Sequence, residues 1–68
     1  MKRRIVMENR PLRAIRERDG KQDRTLNGGA VLNILQWVRP GEARFTVEGA
    51  GAEIWTCTES EIHASTAP

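Results

Sequence analysis

Cys57 and His63 are the single cysteine and the single histidine of the chain, and together they are the one pair with the side-chain types for nucleophilic catalysis. A thiol and an imidazole act as a dyad within hydrogen-bond reach, with a third group orienting the ring. Six positions apart on an extended segment rising about 3.3 Å per residue, they fall out of reach. A buried thiol and a solvated histidine is the preferred reading. Zinc asks for four nitrogen or sulfur ligands, or three and a water, which one cysteine and one histidine do not supply. The glycines at Gly28-Gly29 and Gly49-Ala50-Gly51 match neither a phosphate-binding loop nor a dinucleotide fingerprint, since no lysine-serine follows and no three-glycine spacing exists. Amides at Gly28-Gly29 would face an anion if a helix began there, yet close packing is the simpler reason for the pair. No catalytic, cofactor-binding or metal-binding residue is assigned, and the chain reads as a non-enzyme.

Binding chemistry is better represented. The net charge of +2 hides an asymmetry. Through Arg24 there are nine basic residues against four acids, a balance of +5, and from Thr25 onward two against five, a balance of −3. If the halves form different faces, the molecule has an electric polarity that orients it on a partner. Arg10, Arg13, Arg16, Arg18 and Arg24 are candidates for contacting phosphates or an acidic protein surface. Against phosphates, Glu8, Glu17, Asp19 and Asp23 are interleaved with them, and stacking platforms are scarce: there is no Tyr, and Trp37, Trp55 and Phe45 are needed for a core. The basic-glycine-aromatic strand motif of RNA readers is also missing. Trp37, next to Arg39, suits either the rim of a core or an interface anchor.

The elements that must position these residues are built around Gly28 to Val38, the one concentrated apolar run. Ala30, Val31, Ile34, Leu35 and Val38 recur at helical spacing, with Asn33 and Gln36 on the other side. Pro40 and Gly41 supply a stop. A helix over about 27–38 is expected, too short to stand alone and stabilised by burial of one face. Before it, Arg4–Glu8 reads as a strand, with Ile5 and Met7 on one side and Val6 on the other. Pro11–Arg18 fits a short helix or a strand. The Asp19-Gly20 turn signal tips the reading toward a strand running into a hairpin. After the helix, Ala43–Glu48 and Glu53–Glu59 form a strand pair. A connection with an odd number of residues would gather Phe45, Val47, Trp55 and Cys57 on one face, and burial favours that register. The tail from Ile62 is small and polar and is expected to fray. The expected fold is α+β, a small antiparallel sheet of three to five strands with one helix across one face, in a single domain over 1–61.

A core this small rarely supplies more than about 3–5 kcal/mol, so a homodimer or a permanent partner is an expected remedy. A lone cysteine and the lack of an apolar leader or a bilayer-length apolar run suggest a cytoplasmic protein with no membrane partner. The preferred function is a non-enzymatic binding protein that docks a preformed surface on a protein or nucleoprotein. Its size class includes phage and mobile-element accessory proteins that inhibit a host target, anti-CRISPR proteins among them. The candidate contact residues are Arg10, Arg13, Arg16, Arg18, Arg24, Trp37 and Arg39. The alternative is a small DNA- or RNA-binding domain using the same arginines on phosphates.

Overall fold

The computed structural model describes residues 2–38 and 41–68. In chain order they form β1 (Lys2–Val6), β2 (Leu12–Arg16), a 3-10 turn (Glu17–Asp19), β3 (Asp23–Leu26), β4 (Val31–Val38), β5 (Glu42–Val47), β6 (Trp55–Thr58), α1 (Glu59–Ser65) and β7 (Thr66–Ala67). All pairings are antiparallel, in the order β3-β2-β6-β5-β4-β1-β7. The expected fold is therefore corrected on two counts. The sheet has seven strands, not three to five, and it curls into a half-barrel. The segment 27–38 is not a helix: its apolar run is strand β4, and the helix is the seven-residue α1.

Chain connectivity makes the curl unavoidable. Leu26 and Val31 are joined by four residues, yet β2, β6 and β5 lie between their strands in the sheet. Across a flat sheet that is four spacings of about 4.8 Å, or roughly 19 Å. The linker spans at most about 17 Å when fully extended, and part of it is a turn, with the Ala30 N–H donating to the Asn27 carbonyl. Only a curled sheet brings the two strand ends together. The link is held by the Val6 N–H donating to Ala30 and the Gly29 N–H donating to Val6. Gly28 sits so close to the chain that a Cβ there would lie 2.5 Å from Glu8 Cα. Gly28 is thus required for packing, against the chain just past β1 and not against a helix terminus, while Gly29 supplies the positive φ (91°) of the turn.

The concave face carries the core. Strand alternation places Leu12 and Ala14 of β2, Leu32 and Ile34 of β4, Ala43, Phe45 and Val47 of β5, and Trp55 of β6 inward. The β5–β6 register pairs Phe45 with Trp55 and Ala43 with Cys57, so the odd-numbered connection expected for this hairpin is the one formed. Pro11–Arg18 resolves mainly as β2, whose hairpin with β3 pairs Leu12 with Leu26. A register shift between Ile34 and Gln36 breaks the alternation of β4. Trp37, paired with Ala43, consequently returns to the inner face.

The open side of the half-barrel is closed by α1, which packs on β2, β5 and β6 and buries Ile62 completely. Its start is N-capped within the Thr-x-x-Glu sequence of a capping box: Thr58 precedes the first turn, and its hydroxyl accepts from the Glu61 N–H at 3.1 Å. Residues 62–67 are not a frayed tail. Ser65 and Thr66 are buried, and β7 pairs with β1 through Val6↔Thr66 and Ile5↔Ala67. Arg4 fixes the same end, donating from Nε to the Thr66 hydroxyl at 2.6 Å and from Nη2 to its carbonyl at 3.1 Å. No described helix is long and apolar enough to cross a membrane.

Candidate docking surface

The arginines singled out in the sequence do not make one face. Strand parity divides them: Arg13 points to the convex side, whereas Arg16 and Arg24, paired with Trp55 and Ala14, belong to the concave side. Arg13, Arg16, Arg18 and Arg24 each also have an acid. Arg13 meets Asp23 at 3.0 Å, and Arg18 of the 3-10 turn meets Glu53 at 2.6 Å. Arg16 grips Asp19 with Nε and Nη2 at 2.9 and 3.0 Å, and Arg24 reaches the same carboxylate. Hydrogen bonds from Arg16 and then Arg24 hold the Asp19 carboxyl well below its usual range, at about 2. The Arg16 guanidinium also lies over the Trp55 ring, 5.8 Å from its centroid, and roofs the core at this end. The same pattern extends past the predicted set, with Arg44 on Glu17 and Arg3 on Glu48. Arg10, exposed in the turn after β1, has no acidic partner among the described residues. Arg39 lies outside the described residues. An array paired residue by residue presents little net field to phosphates.

Cys57 and His63 are engaged separately. The thiol is half-buried and donates to the Thr58 carbonyl at 3.5 Å. Burial, followed by the nearby charges of Glu61 and Glu42, pushes its pKa up to about 12, the opposite of what a nucleophile needs. It lines a groove of about 300 Å³ between β2 and β6 with Arg13, Asp23, Glu42, Thr56 and Glu61. His63 projects from α1, stacks on Trp37, and faces Glu59 across 3.4 Å. Among the described residues no group of three or more His, Cys, Asp or Glu side chains could hold a metal ion.

The feature that stands apart is the far end of β4. Trp37 is 40% exposed and Leu35 42%, and with Ile5 they are the exposed large hydrophobic side chains among the described residues. The indole of Trp37 lies on the His63 ring at 5.8 Å between centroids and 13° between planes. That stack fixes its orientation before any partner arrives. Lys2, Ile34, Leu35, Gln36 and Trp37 line a groove of about 220 Å³ at this edge. Sequence reasoning found Trp37 but assigned Leu35 to a buried helix face. Leu35 is exposed because it follows inward-facing Ile34 in a strand, and the register shift beyond it then returns Trp37 to the inner face; no local residue pattern announces that shift. Comparison of the chain with protein-family models, curated proteins and solved structures finds no match.

Proposed function

We propose that this is a non-enzymatic binding protein that docks the Trp37 and Leu35 edge of its sheet on a larger macromolecule, a protein or nucleoprotein in preference to free nucleic acid. The observation that carries this reading is the exposed, pre-oriented Trp37 beside exposed Leu35 on a sheet whose other large apolar groups are mostly buried. Rigid aromatic anchors of this kind supply most of the energy in protein interfaces at small entropic cost. The ion pairs of Arg13, Arg16, Arg18 and Arg24 weigh against the phosphate-reading alternative, because counterion release needs arginines not already neutralised. The proposed contact set at this edge is Leu35 and Trp37; Arg10 follows the other end of β1, away from it. The biological setting we propose is inhibition of a host target by a phage or mobile-element accessory protein, an argument from size class and from the absence of a catalytic motif in the sequence.

The test is affinity capture from the native cell extract, with and without nuclease, using wild type and Trp37→Ala. A protein prey that survives nuclease and falls by at least about tenfold with Trp37→Ala supports the docking reading. Prey lost on nuclease treatment, together with an affinity for nucleic acid that falls linearly with salt on logarithmic axes, would establish the phosphate reading instead.

A further inference from the structure

β2 and β6 are neighbours inside the sheet, yet they pair only through Ile15↔Thr56 and Arg16↔Trp55. Each is paired along its other side, β2 with β3 from Leu12 to Ile15 and β6 with β5 from Trp55 to Thr58. Continued in the same register, the shared ladder would set Ala14 opposite Cys57 and Arg13 opposite Thr58. It does not form there, so the sheet splits between two interior strands, and the groove of about 300 Å³ that Cys57 lines lies at the split. Antiparallel ladders alternate in the direction of their main-chain groups, and on the unsplit side the Glu17 N–H donates to the Ile54 carbonyl. On that parity the Arg13 carbonyl turns toward β6 at the split, without the partner that a continued ladder would give it.

We propose that this groove takes up an arginine side chain of a partner protein, with its stem against Ala14 and Ile15 and its guanidinium among the Arg13 carbonyl and the carboxylates of Glu42 and Glu61. The site is separate from the Trp37 edge and goes beyond the docking reading above. Size, charge and hydrogen bonding select the same occupant. The volume stands at the lower end of the roughly 300–1,000 Å³ of ligand pockets, which is room for one side chain and not for a strand or a helix. The described lining carries three carboxylates against one guanidinium, and that guanidinium, of Arg13, is already held on Asp23 at 3.0 Å. Glu42 and Glu61 are left to face an incoming cation, and both lie near enough to the Cys57 thiol to help raise its pKa. Acceptors arriving from β2, β5 and α1 ask for several donors on one rigid head group, which the five N–H bonds of a guanidinium supply and an ammonium does not. The apolar wall of Ala14 and Ile15 suits the methylene stem behind that head.

The experiment selects binders to the full chain from a displayed library of random twelve-residue peptides. The winners are then measured as synthetic peptides by calorimetric titration and by amide chemical shifts of the labelled protein. The expected winners share one arginine, and the shifts they cause centre on Arg13, Ala14, Cys57 and Thr58. Citrulline in place of that arginine keeps its shape and removes its charge, and it lowers affinity at least about tenfold. Glu61→Gln lowers affinity about twofold to fivefold at low salt and keeps the thermal transition, since Glu61 is exposed and its backbone N–H, not its carboxylate, meets the Thr58 hydroxyl. The inference is overturned if no peptide is enriched, if the winners share no arginine, if the shifts map to another face, or if citrulline or Glu61→Gln leaves affinity unchanged. A rise in affinity with Arg39→Ala overturns it too, because the chain's own arginine would then be the occupant. So does a dimer in solution whose interface covers Cys57 and Thr58.

Discussion

Asp19 shows how a single residue reassigns a charged run. It draws Arg16 and Arg24 onto one carboxylate over the end of the core, so these arginines hold the β2–β3 hairpin on Trp55. Its carboxyl is depressed from 3.8 to about 2 in the folded protein, which means the folded state favours the ionised form. That contribution is fully present above about pH 4 and is lost as the pH falls through about 2. Urea denaturation should accordingly find Asp19→Asn less stable than wild type at pH 7, with the difference closing by pH 2. Cys57 gives the complementary prediction. With its pKa raised from 9.0 to about 12, its thiolate fraction at pH 8 drops by about a thousandfold. Alkylation by iodoacetamide should be slower by orders of magnitude in the folded protein than in urea. The interleaving of acids among the arginines was legible in the sequence. Which arginine met which acid was not, since Arg18 reaches Glu53 and Arg44 reaches Glu17 across the chain.

Among the elements, β4 and α1 exchanged the roles expected from their sequences. The run from Val31 to Val38 carries apolar residues on both faces of its strand, so Val31, Ile34, Leu35 and Val38 satisfy helical spacing although the strand turns Leu32 and Ile34 inward and shifts its alternation by one residue at Leu35. A period of two interrupted once resembles a period of 3.6 over so short a window. The β-branched and aromatic content of the run pointed to a strand, and flanking glycine and proline bound a strand as readily as a helix. The true helix did leave a local mark, Thr58-x-x-Glu61 ahead of Ile62, which is the capping-box signature. Replacing Thr58 by alanine removes the hydroxyl that accepts from the Glu61 N–H and should cost about 1 kcal/mol in chemical denaturation. Because Ile62 and β7 follow from this helix, the loss should also speed amide exchange at the β1–β7 edge. The β5–β6 hairpin, by contrast, was readable down to its register, since burial of Phe45 and Trp55 together admits one parity only.

At the scale of the whole molecule, the half-barrel has one core and one closure. A 68-residue domain has total stability on the order of 3–10 kcal/mol, and fully burying a side chain such as Ile62 contributes about 1.5–3 kcal/mol of that. Deleting residues 62–68 would remove Ile62, the buried Ser65 and Thr66, and the strand that covers β1. The expected result is loss of the cooperative thermal transition, observed by circular dichroism. A truncated chain that melts like the full one would show that the sheet closes without its lid.

The sequence by itself determined the charge pattern, the turn positions, the hairpin of β5 and β6, and the lack of a catalytic motif, because these depend on residue types and short spacings. The tertiary structure alone decided that the apolar run is a strand, that the C-terminal segment is a lid, and that the arginines divide between two faces. Those outcomes depend on strand parity and on which edges meet when the sheet curls, and both are set by pairing between residues far apart in the chain. The exposure of Leu35 beside Trp37 is the sharpest case, since strand parity turns Leu35 outward after Ile34 and one shift in pairing against β5 then brings Trp37 to the inner face.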